Sequence, residues 1–199
     1  MNEMHRKKGR PLSFDRNQAL QKAMLLFWRH GYEATSLNDL TATLEVKPSS
    51  IYSAFGDKKG LFLDAVALYM SGPVTAFSII DDAPTARDAA RELLNVSAVG
   101  YTGANTPPGC LLASSAISCS EAANDVKEEL AAIRRDIEAR LRDKIVWSVG
   151  HAHLPCDTDA DALAGMTMGV IQGMSTLARD GAAREKLLKV AETAMRAWP

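Results

Sequence analysis

Between Thr35 and Phe62 the sequence reads TSLNDLTATLEVKPSSIYSAFGDKKGLF, and no other stretch restricts the fold as much. Leu37, Leu40 and Leu44 recur at steps of three and four, the period of a helix with one buried face. Ser36 stands where it caps that helix, and Asp39 three residues on completes a short capping box. Glu45-Val46-Lys47 then forms a turn. Pro48 suits the first position of a second helix, where a missing N–H costs nothing. Ile51 and Phe55 face inward four residues apart, leaving Ser49, Ser50, Tyr52 and Ser53 outside, and Asp57 caps a further helix with Lys58 beside it. Helices of two turns are marginal alone, because nucleation costs more than so few hydrogen bonds return. Neighbouring elements must therefore hold them. A short propped helix presenting hydroxyls, an aromatic ring and a lysine suits a reader of the DNA major groove. It equally suits a helical hairpin in an ordinary bundle, and spacing alone leaves both open.

The surrounding residues add to this. Asp15 can cap a long helix running to about His30, with Ala19, Leu20, Ala23, Met24 and Phe27 as its buried stripe and Gly31 as its stop. The run GRPLSFDRNQAL, the G-Y-x-x-T-S pattern at Gly31 to Ser36, the S-I-Y-x-x-F run at Ser50 to Phe55 and the Asp57-Lys58 helix start together resemble the N-terminal domain of the TetR family of transcription regulators. The resemblance implies an all-helical, homodimeric, DNA-binding protein whose larger C-terminal domain binds a small effector. It implies a helix-turn-helix domain over residues 1–59, including a basic N-terminal arm, and a ligand-binding and dimerisation domain over 60–199. On that basis Lys47, Ser49, Ser50 and Ser53 are expected at base edges or nearby phosphates, with Pro48 offering apolar contact. Thr35, Ser36, Tyr52 and Lys58 are expected to position phosphates, and Arg10 in the tail to reach phosphates or the minor groove. The chain departs from the family pattern twice. Glu45 replaces the usual glycine, where a left-handed turn costs about 1 kcal/mol or more. Lys47 replaces a common serine cap.

Charge fits a polyanionic partner for the first part only. Residues 1–59 hold ten Lys and Arg against six Asp and Glu, a net of +4, while the remainder hold 13 against 18, a net of −5. The uncharged run Ala162 to Ala178 is too short and too polar to span a membrane. Met1 to Pro11 lacks the apolar run of a leader. Cys110, Cys119 and Cys156 are odd in number and widely separated, which favours reduced thiols in a cytoplasm.

Beyond Asp57 the period stays helical and no strand emerges, so the fold class is all-α. A helix is expected from Asp57 to about Ser71, another from Thr85 to about Thr102, and a long one from Ser120 with Val126, Leu130, Ile133, Ile137, Leu141, Ile145 and Val149 inward. Two more follow, Thr158 to Asp180 and Ala182 to Trp198, divided at Gly181. Gly165, Gly169 and Gly173 share one face of the first of these. Glycines in a helix interior cost roughly 0.8–1 kcal/mol each, so close approach of a second helix is expected there. A symmetry mate or an intrachain neighbour could supply it. Phe77, Tyr101, Cys110, Trp147, Met168 and Met174 are candidates for an apolar effector pocket, and for a core equally well. Cys110, preceded by Pro107-Pro108-Gly109, is expected in the first turn of a helix, and an oxidant or electrophile could act through it. His151, His153, Cys156 and Asp157 lack the spacing of a structural zinc site and read as solvated loop residues. No metal or cofactor is expected, and the glycine loops and motifs of common enzymes are missing. An activator, a ligand-independent regulator, or a helical sensor or enzyme without DNA binding remain the alternatives to a repressor.

Overall fold

The computed structural model describes residues 14–116 and 119–199. Arg10 and the basic tail lie outside the described residues. Ten α-helices are present among the described residues, with no strand.

Helix α1 (Arg16–His30) starts at Asp15, whose carboxylate accepts from the Asn17 and Gln18 amides at 2.8 and 3.2 Å. Its buried side is Ala19, Leu20, Ala23, Phe27 and Trp28. Trp28 was not expected on that side. Helices α2 (Leu37–Leu44) and α3 (Pro48–Phe55) are the short pair, and α4 (Lys58–Met70) returns across α1. The joint between α1 and α4 is aromatic: the Phe27 and Phe62 rings meet edge to face at 5.0 Å, and Tyr32 lies 5.0 Å from Phe62. Leu40, Ile51, Leu61 and Phe62 are sealed beneath the short helices.

The rest of the chain is a helical body. Helix α5 (Ala76–Asp82) begins with a capping box between Thr75 and Ser78. Helix α6 (Ala86–Gly100) buries its alanines and leucines against α5, α8, α9 and α10. Helix α7 (Leu111–Ser114) is a single turn that starts at Cys110. A 3-10 turn, Glu121–Ala123, leads into α8 (Asn124–Gly150), followed by α9 (Ala160–Arg179) and α10 (Arg184–Met195).

Head and body are held together by specific contacts. The Tyr32 amide donates to the Ser115 carbonyl at 2.8 Å, and the Trp28 indole N–H donates to the Gly109 carbonyl at 3.1 Å. Arg179, at the end of α9, reaches the carbonyls of Trp28 and Arg29 at 3.1 Å each, the last turn of α1. A guanidinium is favourable at a helix C-terminus, where carbonyls lack intrahelical partners. Lys59 and Asp125 add an exposed ion pair at 2.6 Å.

Candidate nucleic-acid interface

The reading head is built as the spacing dictates. Ile51 and Phe55 are buried, whereas Lys47, Pro48, Ser49, Tyr52 and Ser53 are exposed and Ser50 is half-buried. Tyr52 is 52% exposed, so its ring is open to solvent on the outer face of α3. Helix α3 ends at Gly56, and α4 follows so closely that a Cβ at Gly60 would collide with the Phe55 carbonyl oxygen. That approach fixes the angle at which α3 is presented. Lys47 caps α3 with backbone only, so its ammonium stays free of the helix end.

The turn before α3 carries the strain its sequence implies: Glu45 sits at φ 57°, in the left-handed region. Ser36 and Asp39 form the full capping box of α2, with Ser36 Oγ accepting from the Asp39 amide at 3.1 Å and the carboxylate accepting from the Ser36 amide at 2.8 Å. The Ser36 hydroxyl also donates to that carboxylate at 2.6 Å, which together with the amide bond holds Asp39 below its ordinary range.

Two phosphate candidates are thereby altered. Thr35 is 1% exposed and donates its hydroxyl to the Gly31 carbonyl at 2.7 Å, so its side chain serves the end of α1 rather than a phosphate. Ser36 spends its hydroxyl and amide on Asp39. What remains at that helix start is the first-turn amides, which by helix geometry have no partner within the helix. Lys58 lies over the Tyr32 ring, Nζ 4.4 Å from its centroid, at the same surface. Desolvation lowers its pKa, against the opposing charge of Glu33.

A cavity of about 550 Å³ opens in the body. Of the six pocket candidates, Tyr101, Cys110 and Met168 line it. The Cys110 amide donates to Ser175 Oγ at 2.8 Å, and its sulfur accepts from the Tyr69 hydroxyl at 3.4 Å. Burial drives the phenols of Tyr69 and Tyr101 well above their ordinary value, with charge on Cys110 acting in the same direction. The other three candidates lie elsewhere. Trp147 is 42% exposed and stacks on His151 at 4.1 Å, because Ile145 and Ser148 occupy the inward positions of α8. Met174 is wholly buried in the core, whereas Met168, Ile171 and Gln172 supply the cavity face of α9. Phe77 packs half-buried on the core, and Ala76 and Ile79 line the cavity in its place.

Residues 19–65 match the pattern described as bacterial regulatory proteins, tetR family, and residues 86–196 match the tetracyclin repressor-like C-terminal domain. The chain belongs to the TetR family. Its similarity to the transcriptional repressor ComR of Escherichia coli is 34% identity, over 96% of this chain and 92% of ComR. The repressor BdcR of the same organism is 29% identical over 94% of this chain and 90% of its own. Among solved structures, a cysteine mutant of the TetR family regulator CifR, complexed with 26-bp double-strand operator DNA, superposes with a TM-score of 0.90 at 38% identity, covering 96% of this chain and all of that one. As a TetR family member the protein is a DNA-binding transcription regulator.

Most of the lining of this TetR family cavity was missed by sequence reasoning, and Trp28, Arg134, Gln172 and Arg184 are among the residues it missed. None has a local signal. Trp28 belongs to the DNA-binding head, and Arg134 sits in the charged run Arg134-Arg135-Asp136. No helix among the described residues is long and apolar enough to cross a membrane.

Proposed function

We propose that this regulator is a homodimeric repressor that leaves a palindromic operator when an effector occupies the cavity. The observation that carries this is α3 itself, whose apolar side is sealed and whose Ser49, Tyr52 and Ser53 stand clear. The relative CifR, solved on its operator with the same architecture, supports it. Lys47, Ser49, Ser50 and Ser53 read bases or adjoining phosphates, Pro48 adds an apolar contact, and Tyr52 and Lys58 hold the backbone. The operative division falls near residue 59, with a cytoplasmic location and no catalysis of its own.

Pairing through α9 follows from its glycines. Nothing lies within 4 Å of a Cβ built on Gly169 or Gly173, and Gly165 meets only Glu138 Oε1 at 3.5 Å. The cost of three helical glycines is therefore not offset by intrachain packing, and a second copy laid across that face offsets it. Effector and operator then oppose each other by linkage, each lowering the other's affinity by one common factor. An electrophile would act at Cys110, so Cys110→Ser is expected to abolish its effect on DNA binding while reversible ligands keep theirs.

A gel shift on the DNA flanking the protein's own gene tests the reading. Specific retardation, lost in Tyr52→Ala without loss of helicity, is expected. Equal retardation of flanking and scrambled DNA would sink it.

A further inference from the structure

The cavity is apolar over most of its wall, with Trp28, Leu93, Ile137, Met168 and Ile171 among its lining, and it contains no aspartate or glutamate. It does contain arginine. Arg134 is half-buried on α8 and donates one nitrogen to the Leu112 carbonyl at 2.5 Å. It forms no ion pair within 4.0 Å among the described residues, whereas its neighbour Arg135 faces Glu128 at 3.7 Å. Desolvation lowers the Arg134 pKa, opposed by Cys110 and Glu128 and reinforced by Arg135. A guanidinium has five donors in a planar fork. One bond to a carbonyl leaves most of that fork free, with no carboxylate beside it, to meet a ligand in the cavity. The second arginine of the lining, Arg184, is already engaged at the rim, donating to Thr102 Oγ1 and the Thr102 carbonyl at 3.1 and 3.2 Å. Gln172 adds a neutral amide.

We propose that the effector is an amphipathic organic anion, an apolar body of carboxylic-acid type whose carboxylate pairs with Arg134. The inference rests on the cavity being the effector site. The anion supplies the charge that the wall lacks, and the apolar body fills a space of the size that drug-sized ligands occupy. A cation or a polyol would meet a positive charge and an apolar wall.

The test compares three probes of one length, decanoate, decanamide and decylamine, by calorimetric titration of the full-length dimer at pH 7.5. Decanoate is expected to bind at least about tenfold more tightly than decanamide, the effect of one charge-assisted pair, and decylamine not measurably. Arg134→Met should erase the difference between acid and amide by weakening the acid alone, and Arg134→Lys should keep part of it. The Met variant leaves the Leu112 carbonyl without its donor, so the Lys variant and the wild-type preference decide the matter should it fold poorly. Equal binding of acid and amide to the wild type overturns the anionic effector and leaves the cavity as a ligand site. If none of the three binds, while DNA is still retarded, the cavity reading itself falls and this inference with it.

Discussion

Glu45 holds a left-handed turn that glycine would hold without strain. A side chain in that region costs about 1–2 kcal/mol, and glycine gives back part of the gain through a looser unfolded chain. Glu45→Gly is thus expected to stabilise the protein by about 0.5–1 kcal/mol. Its ion-pair partner among the described residues, Lys22 at 3.9 Å, is too exposed to alter that balance. Urea denaturation measures it, and a loss of stability would show that the glutamate contributes something the geometry does not reveal. Lys58 belongs to the same scale. Removing its charge in Lys58→Gln should weaken binding to every sequence alike and flatten the salt dependence by about one unit. A changed sequence preference at constant affinity would instead assign it to base reading. Both residues were legible before the fold was known, because a turn type and a helix start are local. Thr35 was not: its hydroxyl looked like a phosphate ligand until its carbonyl partner four residues upstream emerged.

At the level of elements, agreement is closest where the hydrophobic period is clean. The stretches 37–44 and 48–55 are bounded by a capping box, a turn and a proline, each visible in the sequence. The long helix starts later than Ser120 suggests, since that hydroxyl donates to Glu33 at 2.6 Å instead of capping and a 3-10 turn intervenes. Trp147 was placed inward by its chemistry, although the register of α8 turns it out. The capping box makes a pH prediction. The Ser36 hydroxyl and amide hold the Asp39 carboxyl below its ordinary 3.8. A depressed folded pKa means stability fully present above the unfolded value and lost as pH falls through the folded one. Asp39→Asn should therefore be less stable than wild type at neutral pH, and the gap should close as pH drops below that value. Denaturant midpoints along the acid limb measure this; a gap that persists at the lowest pH would mean that the charge is not its source.

For the molecule as a whole, assembly and communication are the properties at stake. Gly169→Leu, on the open face of α9, should split the dimer while leaving the fold of each subunit unchanged. Sedimentation velocity separates the two states, and an intact dimer would place the seam elsewhere. The cavity was the least legible feature, because its wall is assembled from residues as distant as Trp28, Tyr101, Arg134 and Ile171. Periodicity finds what a helix buries, not what several helices enclose between them. At Gly109 the chain passes at φ 80° through a gap with no room for a methyl group, 2.8 Å from Ser175 and 2.9 Å from the stem of Arg179 measured from a built Cβ. The same glycine accepts from Trp28 and gives its amide to the Tyr101 carbonyl at 3.0 Å. Interiors at this density do not compress. A guest that pushes on this corner finds no slack to absorb the displacement, and the nearest movable object is the root of the reading head.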